Sequence, residues 1–245
     1  MKNREEALEK LKSDEHYYGE FGKQFLSNSG LYNLLNNPAD FGKHEVSLPL
    51  LEGGYFHTVM LEPEKKDNYV IIDASTRNTK IYKEAIAESG AEMLLLQKEV
   101  DKIDGLCAKM KANLDLFELL YHPDNEFEVP AIKEIHGMNF KGKCDIKHPD
   151  WVIDIKTTAD ISKFHRSAYA YNYDSQAWLY EEFFGKPMLF VVICKKTGMM
   201  KTFTCSDEFL ERGEGKVIDG ITQYNKFFGP EKYEDVNNFY TEDVL

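Results

Sequence analysis

The feature that most constrains this chain is a short alternation, Trp151-Val-Ile-Asp-Ile-Lys156, set behind the segment Phe140 to Ile146 and separated from it by His148-Pro149-Asp150. Side chains along a strand point alternately to opposite faces. Asp154 and Lys156 therefore share one face, while Trp151, Ile153 and Ile155 share the other. The intervening His-Pro-Asp is a turn signal. A hairpin centred between Pro149 and Asp150 sets Asp145 directly opposite Asp154, with Cβ atoms roughly 5 Å apart. Two facing carboxylates repel and destabilise the pair unless a cation lies between them. A hard divalent ion with oxygen ligands is such a cation. Lys156, one side-chain step along the same face, then stands where it can stabilise a phosphate or polarise an attacking water. A D-x-K triplet also occurs on ordinary solvated strands, so its meaning depends on context.

That context is specific. The run from Asp154 to Phe164, followed by Tyr169 to Tyr180, closely resembles the exonuclease domain of RecE-type phage recombination nucleases, members of the PD-(D/E)xK superfamily. Gly53-Gly-Tyr-Phe-His57 with the later Leu61-Glu-Pro-Glu64 resembles another block of that family. So do Ser29 to Phe41 near the N-terminus, and Leu189 to Lys196 with Asp207 to Gly213 near the C-terminus. The matches run in the same order from about residue 25 to about residue 228. The resemblance implies a metal-dependent exonuclease acting on double-stranded DNA from 5′ ends and leaving 3′ single strands. It also implies a ring-shaped homo-oligomer that works with a single-strand annealing recombinase.

Composition sets bounds on this expectation. A chain of 245 residues can bury one sizeable core. An apolar fraction of 42% with 13% aromatics fits a soluble globular protein. The longest apolar run, Met188 to Cys194, is too short to span a bilayer and reads as a buried strand, so no membrane association is expected. The N-terminus is charged and lacks the apolar stretch of a secretory signal. Cys107, Cys144, Cys194 and Cys205 are widely separated, which suits reduced thiols in a cytoplasmic protein and no familiar iron–sulfur spacing. The net charge of −12 opposes DNA binding at long range, so only a locally positive groove would serve. Lys141, Lys143, Lys147, Lys163, His165, Arg166, Lys195 and Lys196 cluster in sequence around the proposed site. They read equally well as the lining of that groove or as an ordinary scatter of surface cations.

The periodicities predict a charged helix over residues 1–24 and a short helix over 29–37, capped by Ser29 and followed by Pro38. An apolar helix over 51–62 stops at Pro63, and Tyr69 to Asp73 reads as a short strand. Helices follow over 79–90 and 97–122, the second with Val100, Ile103, Leu106, Met110, Leu114, Phe117 and Leu120 at helical spacing. Strands are expected at 126–135, 138–146 and 151–157, a helix at 174–184, strands at 188–194 and 200–205, and an amphipathic helix at 207–228. No internal repeat or linker interrupts the chain. The expected architecture is one α/β domain over 1–245. Its PD-(D/E)xK core is a central mixed sheet flanked by helices, with helical additions on the N-terminal side.

Candidate roles follow. Asp145 and Asp154 are the metal carboxylates and Lys156 the motif lysine. A two-residue loop at His136-Gly137 pairs residues whose numbers sum to 273, which sets Glu128 opposite Asp145 as a third carboxylate. Glu134 faces the same way but lies roughly 20 Å along the strand, and Glu126 is a further candidate. Pro130 cannot donate to a ladder and implies an edge or a bulge. His57 in an apolar helix suits a satisfied core histidine when read alone. The resemblance makes it a metal ligand through its neutral imidazole. Gln176 and Tyr180, four residues apart on one helix face, match by resemblance a Q-x-x-x-Y motif that orients the lysine or the scissile strand. The implied metal is Mg²⁺, with Mn²⁺ as a substitute. Thr157 and Thr158 suit phosphate contact or capping equally. Cys144, Met199, Met200, Phe183 and Phe184 are assigned to packing.

Overall fold

The computed structural model describes residues 2–43 and 46–240. Met1, His44, Glu45 and residues 241–245 of the expected domain lie outside the described residues. In chain order the helices and strands are α1 (Lys2–Leu11), α2 (Asp14–Tyr18), α3 (Asn28–Asn36), α4 (Leu48–Leu61), β1 (Ile71–Ile72), α5 (Lys80–Ser89), β2 (Leu95–Leu96), α6 (Gln97–Lys111) and α7 (Leu114–Leu120). They continue as β3 (Glu126–Ile135), β4 (Met138–Lys147), β5 (Val152–Thr158), α8 (Phe164–Ala170), α9 (Tyr173–Phe184), β6 (Met188–Cys194), β7 (Met200–Thr204) and α10 (Asp207–Phe227).

The main sheet has five strands in the order β3-β4-β5-β6-β7. Neighbours are antiparallel except β5 and β6, which are parallel and joined by the crossover through α9. Every residue of β6 is buried, as expected of a central strand covered on both faces. Its alternation divides the core. Phe190, Val192 and Cys194 pack with Leu179, Val217 and Ile221 under α9 and α10. Leu189, Val191 and Ile193 pack on the other face with Phe56, Ile103 and Met110 of α4 and α6.

Both hairpin registers follow the turn residues. Ile135 pairs with Met138 and Val129 with Cys144, around His136 and Gly137 at φ +48° and +77°. Ile146 pairs with Ile153 and Lys147 with Val152. The pairing of β3 with β4 omits one position, Glu128 opposite Asp145, where Glu128 takes φ +50°. There the alternation breaks. Cys144 packs on the α9 face and Ile146, two residues on, packs on the α4 face. A strand that turns over at Asp145 can present that carboxylate to groups arriving from both layers.

Several expected boundaries move. Within the helix expected over 1–24, residues 2–24 form two helices and a 3₁₀ turn rather than one helix. The cap of α3 is Ser27, whose hydroxyl accepts from Gly30 N–H at 3.3 Å, not Ser29. The expected strand at Tyr69 to Asp73 shrinks to two residues, because its partner β2 is also only two residues long. The expected helix over 97–122 is broken: Asn113 accepts from Leu116 N–H at 3.0 Å and starts α7 afresh. A side-chain cap competes there with continued helix.

Close packing sets α9. Asp174 is fully buried between Arg212 Nε at 2.8 Å and Lys216 Nζ at 2.9 Å, which ties α9 to α10. A Cβ at Gly213 would stand 2.2 Å from the Asp174 carbonyl oxygen, so only glycine permits that approach. Among the described residues no helix is long and apolar enough to cross a membrane, and all four cysteines are free.

Candidate metal centre

The site forms where β4 turns over. His57 on α4, Glu128 on β3 and Asp145 on β4 bring one ligand atom each to within 4.8 Å of one another. His57 Nδ1 lies 3.3 Å from Asp145 Oδ1. The second oxygen of Asp145 accepts the backbone N–H of Ile155 at 2.7 Å, standing in for a ladder bond that β4 and β5 no longer make. One carboxylate thus joins two strands and still offers an oxygen to the cluster.

Asp154 stands beside this group, 2% exposed. Its Oδ1 accepts from Gln176 Nε2 at 2.5 Å. Its Oδ2 forms a buried ion pair with Lys156 Nζ at 2.7 Å. Lys156 Nζ sits 4.9 Å above the ring of Tyr173.

The charges are mutually dependent. Burial and the neighbouring Asp145 raise the Glu128 carboxyl to about 7, against the opposing pull of Lys143 and His57. Burial alone would raise Asp145 also, but His57, Lys156 and the Ile155 N–H outweigh it and hold that carboxyl low. Burial raises Asp154, and Asp145 adds to the effect, although Lys156 and His57 oppose it. Burial disfavours the charged forms of His57 and Lys156, yet the surrounding carboxylates raise both. Three acidic groups crowded in one largely buried place are the environment a bound cation would relieve. One imidazole nitrogen with carboxylate oxygens suits a hard or borderline divalent ion. The residues present fit such an ion.

The other expected site residues are placed differently. Gln176 binds Asp154 rather than Lys156. Tyr180 donates to the Lys143 carbonyl at 2.8 Å and packs over Gly142, so it supports β4 without touching Lys156. Glu126 pairs with Lys147 at the surface at 2.6 Å, and Glu134 lies opposite Asn139 near the far end of the hairpin. Neither joins the cluster. Thr158 hydroxyl bonds back to the Asp160 carbonyl. Much of the expected basic lining is engaged elsewhere. Lys141 donates to the Tyr17 carbonyl and Lys195 pairs with Glu52. Lys143 pairs with Asp14 at 2.6 Å and lies 3.7 Å from Glu128. Lys163, His165, Arg166 and Lys196 remain exposed.

Residues 31–232 match the model of a family described as a PDDEXK-like domain of unknown function (DUF3799). The chain belongs to this family. Among solved structures it is similar to a "Putative exonuclease" from Eubacterium rectale, with 18% identity, a TM-score of 0.69 and coverage of 95% of both chains. That likeness shows a shared fold. A phage-related exonuclease from Haemophilus somnus 129PT is more distant, with 15% identity, a TM-score of 0.38, and coverage of 82% of this chain and 94% of that one. No curated protein matches. The nuclease-like α/β fold read from the sequence is therefore the fold of this family.

Two residues near the centre escaped sequence reasoning. Tyr173, beneath Lys156, lies three positions before Gln176 and so on the same helix face, a spacing that could have revealed it. Asp14 reaches Lys143 across 129 residues of chain, and no local signal announces it.

Proposed function

We propose that the chain is a divalent-metal-dependent DNA nuclease and that its centre consists of His57, Glu128, Asp145, Asp154 and Lys156. The observation that carries this reading is the convergence of His57, Glu128 and Asp145 within 4.8 Å beside a buried Asp154–Lys156 pair. When bound, Mg²⁺ (or Mn²⁺) would supply Lewis acidity toward water and phosphate. His57, Glu128 and Asp145 would hold it, with the Asp154 carboxylate beside them as a further oxygen ligand. Gln176 fixes the carboxylate of Asp154, and Asp154 with the ring of Tyr173 fixes Lys156. Lys156 brings positive charge to the phosphate as charge develops on it. Tyr180 holds the β4 backbone beside the centre.

We further infer an exonuclease that digests duplex DNA from 5′ ends and leaves 3′ strands for recombination, a cytoplasmic activity carried by one domain over 1–245. The sequence resemblance supports that polarity and a single-strand annealing partner. A net charge of −12 gives little bulk attraction for DNA. A closed ring of subunits with heterologous interfaces would retain the duplex by enclosure instead. A time course on 5′- and 3′-labelled linear duplex and on a closed circle, with and without Mg²⁺, tests the reading. Metal-dependent loss of the 5′ label with the circle intact is expected. Cleavage of the circle would make it an endonuclease on the same core, and no cleavage at all would make it an inactive binding module. Sedimentation tests the ring, and a strict monomer that digests long duplexes without dissociating would rule it out.

A further inference from the structure

Between the candidate centre and α10 runs a surface of which this site chemistry uses only Tyr173. Residues 161–173 carry Lys163, His165, Arg166, Tyr169, Tyr171 and Tyr173 and no carboxylate, in a chain with 42 acidic residues. Lys163, His165, Arg166, Tyr169 and Tyr171 are exposed, the two tyrosines at 58% and 57%. The strip starts at the centre itself. Lys156 Nζ lies 4.9 Å over the Tyr173 ring, and Tyr171 lies 6.1 Å from Tyr173, tilted by 37°. At its other end, Tyr169 receives Arg212 at 5.1 Å and Lys216 at 4.6 Å on its ring. There it helps line a cavity of about 550 Å³ shared with Asn172, Arg212, Lys216 and Asp219. Asn172 is 4% exposed, and its side-chain N–H₂ has no hydrogen-bond partner.

Exposed rings offer faces on which bases can stack, and here three tyrosines follow directly on the basic run Lys163, His165 and Arg166. This is the chemistry that holds unpaired nucleic acid: bases stack on rings while cations follow the phosphates. The cavity is charge-balanced, with Arg212 and Lys216 set against Asp174 and Asp219, so it suits a base or sugar. Arg166 and the exposed Lys163, which lies 3.8 Å from Asp160 at the edge of the strip, can meet phosphates. We propose that residues 163–173 form a track for single-stranded DNA that leads from Lys156 past Tyr171 to the cavity beside Tyr169. The track rests on the nuclease reading for its substrate, but its test does not depend on cleavage.

The experiment uses full-length Asp154→Asn protein, to stop hydrolysis, and measures anisotropy of a labelled oligothymidine of about 20 nucleotides, longer than typical single-strand sites. A blunt duplex of the same length serves as the second arm. Tyr169→Ala and Tyr171→Ala should each weaken oligothymidine binding about 5- to 150-fold, the range that loss of one stacking ring produces. Duplex binding should be unchanged. Tyr169→Phe and Tyr171→Phe, which keep the ring, should bind like the parent and show that the fold is intact. Unchanged single-strand affinity in the double alanine variant overturns the track, and so does an equal loss on both substrates. If the wild-type protein cleaves no DNA yet the alanine variants lose oligothymidine, the nuclease reading falls and the track stands. If the wild type cleaves and the variants bind normally, the track alone falls.

Discussion

The carboxylate of Asp145 accepts the backbone N–H of Ile155 at 2.7 Å while its other oxygen faces His57 at 3.3 Å. One side chain therefore closes the gap between two strands and contributes to the candidate metal centre. The two duties can be separated. Asp145→Asn keeps an acceptor for Ile155 but loses the charge, whereas Asp145→Ala leaves a buried N–H unsatisfied, at a cost of about 1–3 kcal/mol. Calorimetry should find the alanine variant less stable than the asparagine variant by that margin. Titration calorimetry with Mn²⁺ should find binding lost in both. Equal stability of the two variants would show that the Ile155 bond contributes nothing.

Glu128 gives a pH signature. Its carboxyl is raised to about 7 in the folded protein against 4.5 as the ordinary value. A raised acid makes the folded state bind more protons than the unfolded state between those values, so metal-free stability falls as pH rises from about 4.5 to about 7. Glu128→Gln should therefore be more stable than wild type at pH 8 in EDTA, by up to on the order of 3 kcal/mol. The gain should vanish at pH 4, and added Mg²⁺ should reverse it by stabilising the wild type alone. A pH-independent difference would count against a buried, charged Glu128.

Lys156 separates chemistry from binding. Lys156→Ala removes a charge that acts on the transition state and no metal ligand, so turnover should fall by orders of magnitude with metal-dependent DNA binding retained. Steady-state kinetics with binding measured in parallel decides it. A loss confined to KM would make Lys156 a phosphate-docking residue.

Gly142 tests the support behind the centre. A Cβ there would meet the Phe183 ring at 2.5 Å and the Tyr180 ring at 2.9 Å. Gly142→Ala should destabilise by about 1–3 kcal/mol through overpacking, and Phe183→Leu in the same chain should recover part of it. Thermal unfolding of the single and double variants measures the coupling. Simple additivity would mean that Phe183 is not the obstacle.

Much of this was legible in the residues. Strand side chains repeat every second position and turn chemistry is local, so Pro149-Asp150 and His136-Gly137 set both hairpin registers, and Asp154 and Lys156 fell on one face. The amphipathic α10 and the buried β6 followed from periodicity for the same reason. Tertiary structure decided the rest. Periodicity carried the helix through 97–122, but the Asn113 side chain offers a competing bond that ends it. Regular alternation carried β4 straight through Asp145, yet the strand turns over there with Glu128 at φ +50°, because His57 and Ile155 approach from different elements and both bind that carboxylate. The hydrogen-bond partners of Lys141, Lys143 and Lys195 lie more than 120 residues away in sequence. A lysine's pattern in sequence says that it is charged. Only the folded chain decides which carboxylate or carbonyl satisfies it and which lysines are left to meet a phosphate.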